Sequence, residues 1–125
     1  MEISNISDSL LERYITKVMF CLTIPAHLKG YYYLRSAILL CIRDEESAAN
    51  TSKLLYPTIA KQFRTTELNV KRDIRSAIET CLDQCNDDHF EEIFGHSCKS
   101  GRYKLTNREF IARIADKIRL DIKTL

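Results

Sequence analysis

Glycine and proline are scarce in this sequence, with three and two residues among 125, and tryptophan is absent. Few residues are therefore available for the tight turns that many short strands require, and long helices are favoured. No apolar run is long enough to cross a membrane, and the N-terminus lacks the basic and apolar segments of a cleaved signal. We therefore expect an all-α protein that stays in the cytoplasm, without a membrane segment.

The five cysteines are an odd number, and we interpret them as reduced thiols that mostly fill small core positions. An alternative is a zinc site, since Cys81, Cys85 and His89 follow one another at helical spacing, with His96 and Cys98 beyond them. Three ligands stacked along one helix close a tetrahedral site poorly, so we predict neither a metal nor a cofactor.

Charge is divided unevenly along the chain, although its net value is only +2. Residues 53–75 hold six basic and two acidic side chains, and residues 99–125 hold eight basic and three acidic ones. Residues 76–98 between them hold six acids and no lysine or arginine. Two basic blocks around an acidic one indicate a positive face whose expected partner is a polyanion. The acidic segment "DDHFEE" is interpreted as a solvated face or as a docking patch for RNA polymerase or another protein.

Hydrophobic periodicity and capping signals predict six helices in one domain, residues 1–125, and no strand. The first helix is expected to start at Ser9, with Glu12 completing a capping box and Leu10 on the apolar side. "RDEESAAN" is expected to be a polar connection or a short extra turn. Thr106 is expected to open the last helix with a second capping box. The four helices between are predicted at about residues 31–42, 51–63 (with Pro57 as a kink or a start), 67–84, and a short one stopped near Gly95.

The predicted helix 67–84 follows a helix and a short turn, "RTT", which together form a candidate helix-turn-helix over about residues 51–84. Thr65 or Thr66 is suited to cap the second helix, and Arg64 stands where such turns usually have glycine. One side of that helix carries an apolar stripe: Val70, Ile74, Ala77, Ile78 and Cys81. The opposite side carries Leu68, Arg72, Arg75, Ser76 and Glu79, flanked by Lys71.

This charged side has two interpretations. It suits a helix laid into the major groove, because arginine matches guanine O6 and N7, glutamate accepts from cytosine N4, and lysine and threonine suit phosphates. It also suits a core helix with a basic solvated face, which is common. His27 stands without a nucleophile–base pair or paired carboxylates, so we do not expect an enzyme.

Longer motifs favour the first interpretation. "IPAHLKGYYYLRSAI", "KLLYPTIAKQFRTT", "RDIRSAIE", "IFGHS" and "LTNREFIARIADKIRLD" resemble the C-terminal effector domain of the stage-zero sporulation protein A response regulators of spore-forming Firmicutes. The correspondence runs without gaps from about Val18 to Asp121. The resemblance implies a six-helix domain that binds short operator boxes at promoters, often as head-to-tail dimers on tandem sites. It implies helix 51–63 as scaffold and helix 67–84 as recognition helix.

Family members also carry an N-terminal receiver domain whose phosphorylation releases the effector domain. Only some seventeen residues precede the matching region here, at about Val18. We therefore expect no receiver domain in this chain, which is either a naturally freestanding effector domain or a fragment of a longer regulator.

The resemblance assigns candidate roles residue by residue. Arg72, Arg75 and Glu79 match the family's recognition helix, whereas Lys71 stands where the family has a base-reading glutamate and Ser76 where it has histidine. Asp73 stands where the family has alanine. A cationic donor at position 71 disfavours cytosine N4 and favours guanine or a phosphate, so we expect an altered operator sequence.

The sequence as a whole thus predicts a cytoplasmic, nucleoid-associated transcription regulator that binds double-stranded DNA. The alternative is a freestanding interaction module that pairs with a full-length regulator. Arg108, Arg113, Lys117 and Arg119 of the last helix either reach phosphates or a neighbouring protomer, or form a solvated face. The candidate base-reading residues are Lys71, Arg72, Arg75, Ser76 and Glu79. The candidate backbone contacts are Lys61, Arg64, Thr65, Thr66 and Lys104.

Overall fold

The structure is a computed structural model and describes residues 1–84, 87–98 and 105–125. Its described residues form seven α-helices and no strand. A 3-10 turn, Ile3–Asn5, precedes the first helix, and a π-helical turn, Thr51–Leu55, leads into the fourth. The helices are α1 (Asp8–Cys21), α2 (Lys29–Arg43), α3 (Glu45–Ala49), α4 (Tyr56–Gln62), α5 (Glu67–Gln84), α6 (Asp87–Phe94) and α7 (Asn107–Lys123).

The all-α prediction is confirmed, and the described residues form one helix more than the six predicted. The extra helix is α3, in the segment expected to be a polar connection or a short turn. It forms because the Asp44 side chain accepts a hydrogen bond from the backbone N–H of Glu46 at 3.0 Å. An aspartate at that position satisfies an amide that no carbonyl of the helix can reach.

The start of α1 also differs from the prediction. Ser7 is the N-cap, and its hydroxyl accepts from the backbone N–H of Leu10 at 3.2 Å, whereas Ser9 lies inside the helix. Leu10 is 58% exposed, and Leu11 takes the core position instead. Two hydroxyl residues close together can each cap a helix, and here the earlier one brings Asp8 into the first turn, where a negative charge is favourable.

Other predicted boundaries are confirmed. Pro57 lies in the first turn of α4, where its missing N–H costs nothing. Gly95, with φ of +80°, follows the end of α6. Thr106 and Glu109 form the predicted capping box of α7. The helix 67–84 begins and ends at the predicted residues.

Helix α2 lies at the centre of the fold and packs against α1, α5 and α7. Its crossing with α5 depends on Gly30. A Cβ atom built on Gly30 would lie 2.0 Å from the backbone oxygen of Asp73 and 3.2 Å from the Cβ of Ala77. The absence of a side chain therefore allows α2 to approach the backbone of α5, which fixes the position of α5 on the core.

The cysteines are only partly as predicted. Cys41 and Cys81 are buried free thiols, and burial raises the pKa of Cys41 to about 11 and that of Cys81 to about 12. Cys98 is instead disulfide-bonded, which corrects the expectation of reduced thiols throughout. Cys85 lies outside the described residues. Within the described part of the chain, no three His, Cys, Asp or Glu side chains are grouped so that they could hold a metal ion.

None of the helices in the described ranges has the length and apolar composition that a membrane span requires.

Candidate nucleic-acid interface

The turn between α4 and α5 is tight and is closed by backbone hydrogen bonds. The N–H of Phe63 donates to Ile59 at 3.1 Å, and that of Thr65 donates to Ala60 at 2.9 Å. Arg64 lies between Phe63 and Thr65, and its φ of +54° is in the left-handed region. The position thus has the conformation for which turns of this kind usually use glycine, although an arginine occupies it.

The first turn of α5 is fixed by side chains that precede it. Of the two predicted caps, Thr66 is the one used, since its hydroxyl accepts from the N–H of Asn69 at 3.1 Å. The side-chain amide of Asn69 also donates from Nδ2 to the Thr65 hydroxyl at 3.1 Å, and its Oδ1 accepts from Nη2 of Arg72 at 2.9 Å. Asn69 therefore links the turn to Arg72. Asn69 was not identified from the sequence, although it lies three residues from both Thr66 and Arg72, a spacing that brings side chains together on a helix.

The two sides of α5 differ as the helical wheel predicts. The apolar stripe is fully buried, with Val70, Ile74, Ala77, Ile78 and Cys81 each at 0% exposure. The opposite side is exposed at Leu68, Lys71, Arg72, Ser76 and Glu79. The helix thus presents a row of polar and charged side chains outward from a rigidly packed backbone.

Arg75 differs from its neighbours on that exposed side. Its guanidinium donates from Nη1 to the backbone oxygen of Leu105 at 2.6 Å and from Nε to Glu79 at 3.1 Å. Its side chain is 32% exposed, whereas that of Arg72 is 63% exposed. Arg75 therefore connects the middle of α5 to the segment that leads into α7, a contact that spacing along the sequence does not indicate.

Asn107 completes this connection. It is only 8% exposed, and its amide donates to the Tyr56 hydroxyl at 3.2 Å and to the backbone oxygen of Lys71 at 3.1 Å, while its oxygen lies 3.4 Å from Nη1 of Arg75. Burial raises the pKa of Tyr56, against the lowering effects of the Asn107 hydrogen bond and the Arg75 charge. The starts of α4 and α7 are thus joined to the exposed side of α5. Sequence reasoning missed Asn107 as well.

An open groove of about 680 Å³ runs along the exposed side of α5. Its lining also includes Thr51 and Ser52 of the π-helical turn and Arg108 in the first turn of α7. All five predicted base-reading residues line this groove: Lys71, Arg72, Arg75, Ser76 and Glu79.

The remaining predicted contacts are distributed as follows. Lys61 and Arg64 are exposed on α4 and in the turn, near the start of α5. Lys104 lies outside the described residues.

Lys117 forms ion pairs with Asp121 at 2.9 Å and with Glu92 at 3.6 Å, and Arg119 donates to the backbone oxygens of Cys41 and Ile42.

The four basic residues of α7 therefore do not act alike. Lys117 and Arg119 make contacts within the domain that were not part of the prediction, which gave phosphates, a neighbouring protomer or a solvated face. Arg108 and Arg113 remain exposed.

Two helices joined by a tight turn, the second packed on one side and exposed on the other, define this domain as one of the helix-turn-helix type. The sequence matches the family model described as sporulation initiation factor Spo0A C terminal over residues 15–118. The chain belongs to this family. It is accordingly a DNA-binding effector domain of the response regulators that act in sporulation, and the family is not one of enzymes.

Proposed function

We propose that this domain is a sequence-specific transcription regulator that inserts α5 into the major groove of promoter operator boxes. The observation that carries the proposal is the exposed side of α5, which is opposite its fully buried stripe and follows directly from a capped tight turn. A recognition helix needs such a rigid backbone, because a groove contact fails when the donor shifts by about an ångström.

Arg72 and Arg75 are the proposed base-reading arginines, and the structure suggests that they act differently. Among the described residues, Arg72 is held by Asn69 and by a 3.6 Å ion pair with Asp73, and its side chain is 63% exposed. Arg75 uses Nε and Nη1 within the domain, while its Nη2 makes no hydrogen bond among the described residues. Arg75 would therefore offer a pre-positioned donor, whereas Arg72 would order its side chain on binding.

Lys71 and Ser76 would alter the operator relative to other family members. Lys71 is exposed and its ammonium can reach guanine or a phosphate, whereas the family's glutamate accepts from cytosine. Ser76 is shorter than the family's histidine and reaches less far into the groove. Glu79, whose carboxylate is held by Nε of Arg75 at 3.1 Å, would be positioned through that contact.

The DNA backbone would be held at the N-terminal end of α5 by Lys61, Arg64, Thr65 and Thr66, with Lys104 as an outlying contact. Lys61 and Arg64 supply the positive charge, and the first amides of α5 favour a phosphate oxygen. A head-to-tail homodimer on tandem boxes and a contact with RNA polymerase are further parts of the proposal that come from the family resemblance.

The test is a selection of binding sites from random DNA, followed by affinity measurements at several salt concentrations. Arg72→Ala should lose about 1–3 kcal/mol on the selected operator and little on random DNA. Lys61→Ala should weaken binding to both DNAs and reduce the salt slope by about one. If Arg72→Ala weakens both DNAs equally, its base-reading role is wrong.

A second candidate function is a module that pairs with a full-length regulator. It is favoured by two exposed apolar residues on α1, Phe20 at 81% and Leu10 at 58%. A mobility-shift assay on operator DNA, with and without the full-length regulator, separates the two functions. A regulator whose binding changes only when this domain is added, while the domain alone leaves the DNA unshifted, would favour the second.

A further inference from the structure

An apolar side chain lies on the charged side of α5, in the first turn of the helix. Leu68 is 69% exposed, and among the described residues of α5 it is the one large apolar side chain that is exposed. Single exposed leucines are ordinary on protein surfaces and need no explanation. Leu68 is distinguished by its position, because it lies among the charged residues that are proposed to read bases.

The helical wheel places Leu68 between the proposed base-reading residues. At about 100° per residue, Lys71 lies about 60° to one side of it and Arg72 about 40° to the other. The rise per residue puts Leu68 about 6 Å before Arg72 along the axis, or about two base-pair steps. Leu68 is also in the first turn of the helix, and first-turn residues of recognition helices contact base edges.

The chemistry of the major groove offers one partner for such a side chain. Every base edge presents polar donors or acceptors there, and the apolar exception is the 5-methyl group of thymine. That methyl group projects into the groove, so a side chain as short as leucine can reach it. Contact would remove both apolar groups from water, whereas a cytosine at the same place carries only a hydrogen at C5, so the apolar contact would be lost.

We propose that Leu68 contacts the 5-methyl group of a thymine in the operator and sets the preference for thyminе over cytosine at that position. This inference rests on the proposed function, since it requires α5 in the major groove. It makes Leu68 a specificity-determining residue. Leu68 takes no part in capping α5 or in the buried core, so replacing it should leave the fold intact.

The test uses deoxyuridine, which differs from thymidine only by the missing methyl group. An operator is first selected from random DNA, and each of its thymines is then replaced singly. The wild-type domain should lose about three- to tenfold in affinity at one or two positions. Leu68→Ala should lose a similar factor on the unmodified operator and nothing further at those positions.

The matched control is Leu120→Ala, because Leu120 is 55% exposed but lies on α7. This variant should bind like the wild type and keep the full sensitivity to deoxyuridine. The inference is overturned if no thymine position is sensitive, or if Leu68→Ala retains the wild-type sensitivity at every position. It is also overturned if Leu68→Ala changes self-association but not DNA affinity.

The same experiments distinguish a failure of the proposed function from a failure of the inference about Leu68. If the wild-type domain selects no sequence at all, the groove-reading role of α5 is wrong, and the inference about Leu68 falls with it. If the wild-type domain selects an operator and Arg72→Ala loses specificity, but deoxyuridine has no effect, only the inference about Leu68 is wrong.

Discussion

The two sides of α5 are held in different ways. The side that packs on the core is fixed by a backbone approach at Gly30 and by five residues at 0% exposure. The exposed side is held by a few polar contacts, of which those of Arg75 reach across to Leu105 and Asn107. Packing therefore sets where the helix lies, and hydrogen bonds set where some of its outer side chains point.

This difference separates two kinds of variant. A change on the packed side alters the position of every side chain of α5 together, so its effect on DNA binding follows from the fold. A change on the exposed side acts on one side chain and can alter specificity while stability stays the same. Arg75 is expected to behave as an intermediate case, because it lies on the exposed side and still bonds to another segment.

The largest effect is expected from Gly30→Ala. The added Cβ would lie 2.0 Å from the backbone oxygen of Asp73, so α2 and α5 must separate. We expect the free energy of unfolding to fall by about 3 kcal/mol or more, since a backbone clash cannot be relieved by a rotamer change. Chemical denaturation followed by circular dichroism measures this loss.

Gly95→Ala provides the control for Gly30→Ala. Gly95 has φ of +80°, but a Cβ there meets nothing within 4 Å, so only the backbone conformation opposes the change. We expect a loss of about 1 kcal/mol. Equal losses for the two variants would mean that the close approach of α2 to α5 does not determine the stability of this crossing.

The second largest effect is expected from Arg75→Ala. The variant leaves the Leu105 carbonyl and the buried Asn107 oxygen without their charged donor. We expect the free energy of unfolding to fall by about 1–2 kcal/mol, and operator binding to fall as well. Arg72→Ala should instead change stability by less than about 0.5 kcal/mol, because the Arg72 side chain is 63% exposed.

Thermal melts of both variants, measured beside their operator affinities, decide this prediction. Arg75→Lys is an informative companion, since it keeps the charge but lacks the planar guanidinium that bonds Leu105 and Glu79 together. If Arg72→Ala and Arg75→Ala destabilise the domain equally, the distinction between the more exposed Arg72 and the anchored Arg75 is wrong.

A smaller effect is expected from Thr66→Ala. The Thr66 hydroxyl accepts from the N–H of Asn69, and its loss should cost about 1 kcal/mol of unfolding free energy. Thr66→Ser keeps the hydroxyl and should retain most of the stability. A denaturation curve of Thr66→Ala that coincides with that of the wild type would show that the cap does not contribute.

Contacts between nearby residues could be predicted from the sequence. The stripe of Val70 and Ile74 repeats with the period of a helix, and the Thr66 cap and the Thr106–Glu109 box span only three residues. Each of these features is set by local geometry, so spacing predicts it, although spacing left the cap of α5 open between Thr65 and Thr66. The same is true of the exposed side of α5, which follows once the buried side is known.

Contacts between distant segments could not be predicted in this way. Arg75 and Leu105 are 30 residues apart and meet only because α5 and α7 pack on the same core. Asn107 is buried for the same reason, and its sequence neighbours indicate only a helix start. The misplaced cap of α1 has another cause: Ser7 and Ser9 have the same capping chemistry, so the residue types alone do not decide between them.

The smallest effect, and one of opposite sign, is expected at Arg64. Its φ of +54° costs a residue with a side chain about 1–2 kcal/mol. Glycine would remove this cost, but it would also increase the conformational entropy of the unfolded chain, which offsets part of the gain in stability. We therefore expect Arg64→Gly to raise the free energy of unfolding by about 0.5–1 kcal/mol. Arg64→Asn should lie between that variant and the wild type, because asparagine tolerates this conformation better than arginine does.

The same pair of variants separates the backbone role of Arg64 from its charge. Both replacements remove one positive charge, so they should weaken binding to operator and random DNA by the same factor and reduce the salt slope equally. Stability, in contrast, should differ between them. If DNA affinity follows stability across the two variants, the turn geometry controls binding. If both variants lose the same affinity, Arg64 contacts a phosphate through its charge. The arginine then lowers the free energy of unfolding but strengthens DNA binding.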